Sequence, residues 1–179
     1  FTREFALPGR VRRLNPVGFF PGSTIGNFTP ADAAALLRTM RKILGETPRL
    51  LIGIDLVKDA QTLVAAYDDA EGVTADFNKN LLVRINRELA ATIDLSAFVH
   101  RALWNAGESR IEMHLECGRD LEAAIAGRTI RFAAGERIHT ENSHKYTLDG
   151  FSTLAAIGGW TVSRVWKSED PEVAVILLT

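Results

Sequence analysis

Apolar residues along the 179-residue chain change their spacing several times, and each change marks an element. The run Val17-Gly18-Phe19-Phe20 is continuous and stops at Pro21-Gly22, which predicts a buried strand running into a turn. A polar loop of small residues follows, through Ser23, Thr24, Gly26 and Asn27. Thr29-Pro30 then provides a helix cap and a proline in the first turn, where its missing N–H costs nothing. Ala33, Leu36, Leu37, Met40 and Leu44 recur at helical spacing. Residues 50–57 are nearly all apolar, the texture of a strand buried on both faces of a parallel sheet. Strand, helix and strand make a βαβ unit. Asp59 caps a helix reaching about residue 67, residues 68–72 form a turn, and a long helix spans 73–90 with Phe77, Leu81, Leu82, Ile85 and Leu89 on one side. Alternation in 98–105, 110–116 and 129–132 predicts antiparallel strands. Residues 135–146 are polar and read as a loop. Residues 148–157 form a short helix, and 160–166 with 173–178 a closing antiparallel pair. Residues 5–15 read as a basic loop.

Parallel strands closed by an antiparallel hairpin predict an α/β fold, the C-terminal half of a Rossmann-like class I methyltransferase sheet with an inserted α+β substrate-binding lobe. The expected boundaries are 1–70 for the back of the core, 71–143 for the lobe, and 144–179 for the closing helix and hairpin. Such a sheet should begin with an acidic, glycine-rich cofactor loop, and Gly26-Asn27 and Gly53-Ile54-Asp55 are poor substitutes for one. The chain opens at Phe1 in the texture of a mid-fold segment, so a fragment is expected.

Composition narrows the partners. A net charge of −1 leaves no global field for nucleic acid or anionic lipid, and Arg10-Val11-Arg12-Arg13 is too short to change that. Cys117 stands alone, which excludes a disulfide framework and implies a reducing, cytoplasmic setting. No apolar run reaches the roughly 18 residues of a membrane span. The expected partner is a small molecule.

The loop after the first strand lies where open α/β sheets bind ligands, outside the strands' carboxyl ends. It is neither a Walker loop nor GxGxxG, so it argues for a polar ligand without specifying phosphate. Asn27 can donate and accept at once, which suits a zwitterion, and equally suits a turn held by its own side chain. Tyr67 offers a phenol at a helix end, beside Asp68 and Asp69, which read as a solvated turn. The spacing of Asp68, Asp69, Glu71 and Asp76 fails the EF-hand loop. In 110–115, Glu112 and His114 share one face, read as solvent-facing, and Met113 the other, where it packs in the core or against a flat ring. His139 and His144 lack a third partner at a metal-binding spacing, so no metal is expected. Glu141 and Ser143 alternate onto one side of an extended segment. One could accept from an imidazole nitrogen and the other donate to its partner nitrogen, or the cluster could cap the next helix.

Together these segments resemble a known family. Phe20-Pro21-Gly22-Ser23-Thr24-Ile25-Gly26-Asn27, Gly53-Ile54-Asp55-Leu56-Val57-Lys58-Asp59, Ala66-Tyr67-Asp68-Asp69, Phe77-Asn78-Lys79-Asn80-Leu81-Leu82, Ile85-Asn86-Arg87-Glu88-Leu89, Arg110-Ile111-Glu112-Met113 and Ile138-His139-Thr140-Glu141-Asn142-Ser143 are similar to the L-histidine Nα-methyltransferases of ergothioneine biosynthesis. The resemblance implies three methyl transfers from S-adenosylmethionine to the α-amine of L-histidine, giving trimethylhistidine (hercynine). It implies that Asn27 and Tyr67 hold the amino and carboxylate groups. Glu141 and Ser143 would hold the imidazole, with Asn142 between them and Met113 against the ring. Gly22 would line the junction with the cofactor, and Phe1 would match a phenylalanine that contacts adenine. The substrates would be L-histidine and its methylated forms, and the full-length enzyme a monomer.

The family's cofactor-binding half precedes these residues, so the chain alone is expected to bind no S-adenosylmethionine and to be inactive. Two alternatives stay open. One is Nα-methylation of another amino acid, such as a prenylated tryptophan, although an indole gives Ser143 no acceptor. The other is a non-catalytic module that captures an amino acid.

Overall fold

The computed structural model of the chain describes residues 2–12 and 14–179. In chain order the elements are α1 (Gly9–Arg12), β1 (Val17–Phe20), a 3-10 turn (Thr24–Asn27), α2 (Pro30–Leu44), β2 (Arg49–Asp55), α3 (Ala60–Ala65), α4 (Val73–Glu88), a 3-10 turn (Leu95–Ala97), β3 (Phe98–Asn105), β4 (Arg110–Cys117), β5 (Leu121–Ile125), β6 (Arg128–Phe132), β7 (Arg137–His144), α5 (Leu148–Ile157), β8 (Val162–Glu169) and β9 (Glu172–Leu178). They fall into two compact units. One comprises residues up to 58, Glu108–Arg110 and Ser143–Thr179, and the other Asp59–Gly107 and Ile111–Asn142.

In the first unit α2 starts where its cap chemistry requires. The Thr29 hydroxyl accepts from the Asp32 backbone N–H at 3.2 Å, and Pro30 occupies the first turn. The helix stops at Gly45, whose φ of 90° suits a residue without Cβ. The sheet has the order β1-β2-β9-β8. β1 and β2 are parallel, from Val17↔Arg49 to Phe20↔Ile52, and β9 runs antiparallel to both β2 and β8. This is the α/β arrangement with a closing antiparallel pair. Leu50, Ile52 and Ile54 project from β2 into one cluster with Ile25, Leu37, Phe151, Ile176 and Leu178. Each such burial is worth about 1.5–3 kcal/mol. The other side of β2 is only half-buried, so this strand is not sealed on both faces as its apolar run predicts. α2 and α5 both contribute to the same cluster, which covers one face. β1 lies at the sheet edge with Val17 and Phe19 exposed.

In the second unit α4 begins beneath the Asp69 carboxylate, which accepts from the backbone N–H groups of Val73 and Thr74 at 2.8 Å each. A side-chain hydrogen bond from Thr74, with these two backbone bonds, holds the Asp69 carboxyl down at about 2. Asp68-Asp69 is thus a helix start as well as a turn. Of the apolar residues expected on one side of α4, Leu82 is buried while Phe77, Leu81 and Leu89 are exposed. The sheet order here is β3-β4-β7, beside a separate β5-β6 hairpin. Leu82, Phe98, Leu115, Cys117 and Phe132 form the main cluster, with Phe98 and Phe132 edge to face at 5.4 Å. A smaller cluster gathers Leu63, Ala102 and Ile111 around Tyr67 and Trp104.

Three local readings change. Residues 137–144 form strand β7 rather than a loop, because their polar side chains hydrogen-bond within the sheet. Residues 121–125 form a strand that alternation did not reveal, paired from Leu121↔Phe132 to Ile125↔Arg128. The segment 5–15 contains the single-turn helix α1.

Candidate functional site

The loop after β1 is held in left-handed backbone at Gly22 (φ 74°) and Ser23 (φ 56°). Open space surrounds the position a Cβ would take on Gly22. The turn that follows packs against the end of β7. A Cβ on Gly26 would lie 2.7 Å from the His144 carbonyl, so only glycine fits here. His144 Nδ1 donates to the Gly26 carbonyl at 3.0 Å, which fixes that tautomer and pins the turn. His144 is buried, and its Nε2 has no hydrogen-bond partner. Asn27 ends the turn and is exposed. Nearby, burial of Tyr146 pushes its phenol up to about 12.

At the carboxyl end of β2, Asp55 receives two ammonium groups, Lys58 Nζ at 2.8 Å and Lys145 Nζ at 2.9 Å. Burial pushes the Asp55 carboxyl up, but the hydrogen bonds and charges of the two lysines outweigh it and hold the group below its ordinary value. Lys145 Nζ also donates to Ser143 Oγ at 2.8 Å. Sequence reasoning missed this lysine. The available signal was that Lys145 stands two residues beyond Ser143 at the end of an alternating strand.

In the second unit Tyr67 follows α3, and its carbonyl accepts from His100 Nε2 at 2.7 Å. His100 Nδ1 therefore carries no hydrogen and accepts from Asn78 Nδ2 at 2.9 Å. The same amide donates to the His114 carbonyl at 3.2 Å. Asn78 and His100 are both buried. Neither was singled out from the sequence, although His100 alternates with Phe98 and Ala102 on the inner side of β3.

Glu112 and His114 are not solvent-facing as alternation suggested. His114 is 9% exposed, its Nε2 bonds the Glu112 carboxylate at 3.2 Å, and its ring stacks on His139 at 4.5 Å. Burial depresses the His114 imidazole, and the attraction of Glu112 does not restore it. Glu112 also accepts from Asn105 Nδ2 at 2.9 Å. Glu112, His114 and His139 each offer a ligand atom within 4.8 Å of the others, a donor set that could hold a divalent metal. Spacing did not reveal it because the partners lie on different strands.

Met113 is buried on the side of β4 shared by Ile111 and Leu115. Its carbonyl accepts from the Thr140 hydroxyl at 2.9 Å, which ties β4 to β7. Along β7, alternation sends His139, Glu141 and Ser143 to one side and Thr140 and Asn142 to the other. Glu141 lines a cavity of about 220 Å³ with Phe77, Asn78, Leu81, Arg84 and Thr140. Asn142 Oδ1 is buried without a partner, and Ser143 is 6% exposed. Phe1, the other residue assigned to the cofactor, lies outside the described residues. Gly22 with its open surroundings could border a cofactor but could not hold one. Among the described residues no helix is long and apolar enough to cross a membrane.

A family model described as histidine-specific methyltransferase, SAM-dependent, matches residues 2–179. The chain is 46% identical over 154 residues to a histidine N-alpha-methyltransferase of Mycolicibacterium smegmatis, covering 85% of the chain and 47% of that protein. It is 45% identical over 173 residues to the protein of the same name from Mycobacterium tuberculosis, covering 96% of the chain and 53% of that protein. The chain thus spans about half the length of these relatives. Among solved structures it is similar to the CcbJ methyltransferase from Streptomyces caelestis, with a TM-score of 0.46 and 9% identity over 90% of the chain and 55% of that chain.

Proposed function

Because the chain belongs to the family of histidine-specific, S-adenosylmethionine-dependent methyltransferases, we propose that it supplies the histidine-binding part of an enzyme that methylates the α-amine of L-histidine to trimethylhistidine. In this reading Glu141 accepts from one imidazole nitrogen and Ser143 donates to the other, with Asn142 between them in the chain. Asn27 and Tyr67 hold the amino and carboxylate groups, and Gly22 borders the cofactor. S-adenosylmethionine supplies the methyl group when bound. The protein's share is to hold a neutral amine in line with it, and well-oriented pairing can supply roughly 7–11 kcal/mol of such a barrier. A cytoplasmic monomer acting on a small molecule completes the reading; the single cysteine fits a reducing setting.

What supports this reading is the match of the chain to the family from residue 2 to residue 179, together with the two-residue spacing of Glu141 and Ser143 along the β7 sequence. The test is Glu141→Ala in the full-length protein, followed by calorimetry with each ligand. Histidine binding should weaken by about ten- to a hundredfold, the worth of a hydrogen bond to a charged group. S-adenosylmethionine binding should hold. Equal losses for both ligands would overturn the assignment.

A further inference from the structure

Alternation along β4 sends Glu112 and His114 to one side of the sheet, and β7 brings His139 beside them. Each side chain offers a ligand atom, and the three atoms lie within 4.8 Å of one another. His114 Nε2 and Glu112 Oε2 are 3.2 Å apart. Two ligand atoms on a tetrahedral zinc ion, each about 2.0–2.1 Å from the metal, sit about 3.3–3.4 Å apart. This pair therefore already has the spacing of a coordination edge.

The hydrogen bonds around the cluster are those that metal-binding imidazoles use. A carbonyl only accepts, so His139 Nε2 donates to the Glu141 carbonyl at 3.1 Å and its Nδ1 carries a bare lone pair. A metal-bound histidine characteristically gives its other ring N–H to such an acceptor. Asn105 Nδ2 donates to Glu112 Oε1 at 2.9 Å and orients the carboxylate. His114 Nδ1 is buried without a hydrogen-bond partner. Burial also favours the neutral form of His114, the form that binds metal. All of these groups belong to the second unit.

We propose that Glu112, His114 and His139 form a zinc(II) site that clips β4 to β7, with water in the fourth position. Zinc replaces the hydrogen between His114 Nε2 and Glu112 Oε2. That hydrogen passes to His114 Nδ1, which has no partner to lose, so the ring stays neutral. His139 Nδ1 supplies the third ligand. The two rings stack with centroids 4.5 Å apart and planes at 26°, and stacked rings hold their lone pairs side by side rather than convergent. His139 is exposed, so it can turn inward about its side-chain torsions while the strand stays in place. Two imidazoles and one carboxylate suit zinc, whereas magnesium and calcium ask for oxygen ligands. Arg137 is the arginine whose charge acts on His114, and the Glu116 carboxylate takes up its guanidinium at 2.7 Å.

The experiment titrates zinc chloride into chelator-stripped full-length protein by calorimetry, for wild type, His139→Ala and Glu112→Gln. Removing the exposed His139 ring leaves the core of the unit intact. Wild type should bind one equivalent of zinc that both variants bind more than about a hundredfold more weakly, beyond the ten- to hundredfold cost of losing an outer-shell partner. Cobalt(II) in place of zinc should give visible absorption bands in wild type that His139→Ala lacks. Excess magnesium or calcium should leave the zinc bound. A wild type that binds no zinc would overturn the site. Equal stoichiometry and affinity in wild type and His139→Ala would also overturn it, as would displacement of the zinc by magnesium or calcium.

Discussion

Replacing Asn78 with Ala should cost this chain far more stability than the loss of one surface amide. The Asn78 amide donates to His100 Nδ1 at 2.9 Å and to the His114 carbonyl at 3.2 Å, among groups that water does not reach. Its removal strips the buried His100 Nδ1 of its donor and the His114 carbonyl of one donor, and an orphaned buried acceptor costs about 1–3 kcal/mol. The imidazole cannot escape by moving its proton to Nδ1. That shift would strip the Tyr67 carbonyl of its donor at 2.7 Å and move the deficit one step along the chain of bonds. A loss of about 1–3 kcal/mol follows, which for a chain of this size lowers the melting temperature by roughly 2–12 °C. Calorimetric melting of wild type, Asn78→Ala, His100→Ala and the double variant measures it. The two single losses should not add, with an interaction of about 0.5–3 kcal/mol between directly bonded partners. A single-variant loss under about 0.5 kcal/mol, the scale of an ordinary surface substitution, would refute the reasoning. So would strict additivity in the cycle.

Other outcomes follow from the same geometry. Gly26→Ala should destabilise by about 1–3 kcal/mol, as overpacking does, because the new Cβ meets the His144 carbonyl at 2.7 Å; histidine binding should weaken with it, and denaturation showing no loss would mean the turn can move aside. For His114, burial depresses the native imidazole below the unfolded value near 6.5. The unfolded chain therefore binds more protons below that value, and stability should decline as pH falls from about 6.5 toward the native value. Urea unfolding at several pH values should show this slope in wild type and a shallower one in His114→Gln; an unchanged slope would place the titration elsewhere.

What could be read from the sequence was local, and so was its chemistry. Thr29-Pro30 declares the start of α2 because cap and proline act within one turn, and the alternation in β3 and β4 records which side chains face a core. β7 escaped the same reading because its residues are polar and find partners across the sheet. Thr140 bonds a carbonyl on β4, and His139 stacks on His114. Periodicity sees polarity and assigns solvent, so Glu112 and His114 were turned outward for the same reason. β5 escaped because Leu-Glu-Ala-Ala-Ile has few β-branched or aromatic residues, and its pairing with β6 supplies what propensity does not.

The candidate site divides along the same line. Glu141 and Ser143 could be proposed from a two-residue spacing and a family resemblance, both of which reside in the side chains themselves. Lys145, Asp55, His100 and Asn78 were not, because each derives its meaning from a partner far along the chain. A lysine in a polar stretch reads as solvated until Asp55, on the neighbouring part of the fold, is found 2.9 Å from its ammonium. A buried polar side chain is tolerated only where distant groups satisfy it, so the residues that orient a polar site are the ones a linear reading discards. Tyr67 and Ser143 owe their settings to such pairs, Tyr67 through the carbonyl held by His100 and Ser143 through the ammonium of Lys145.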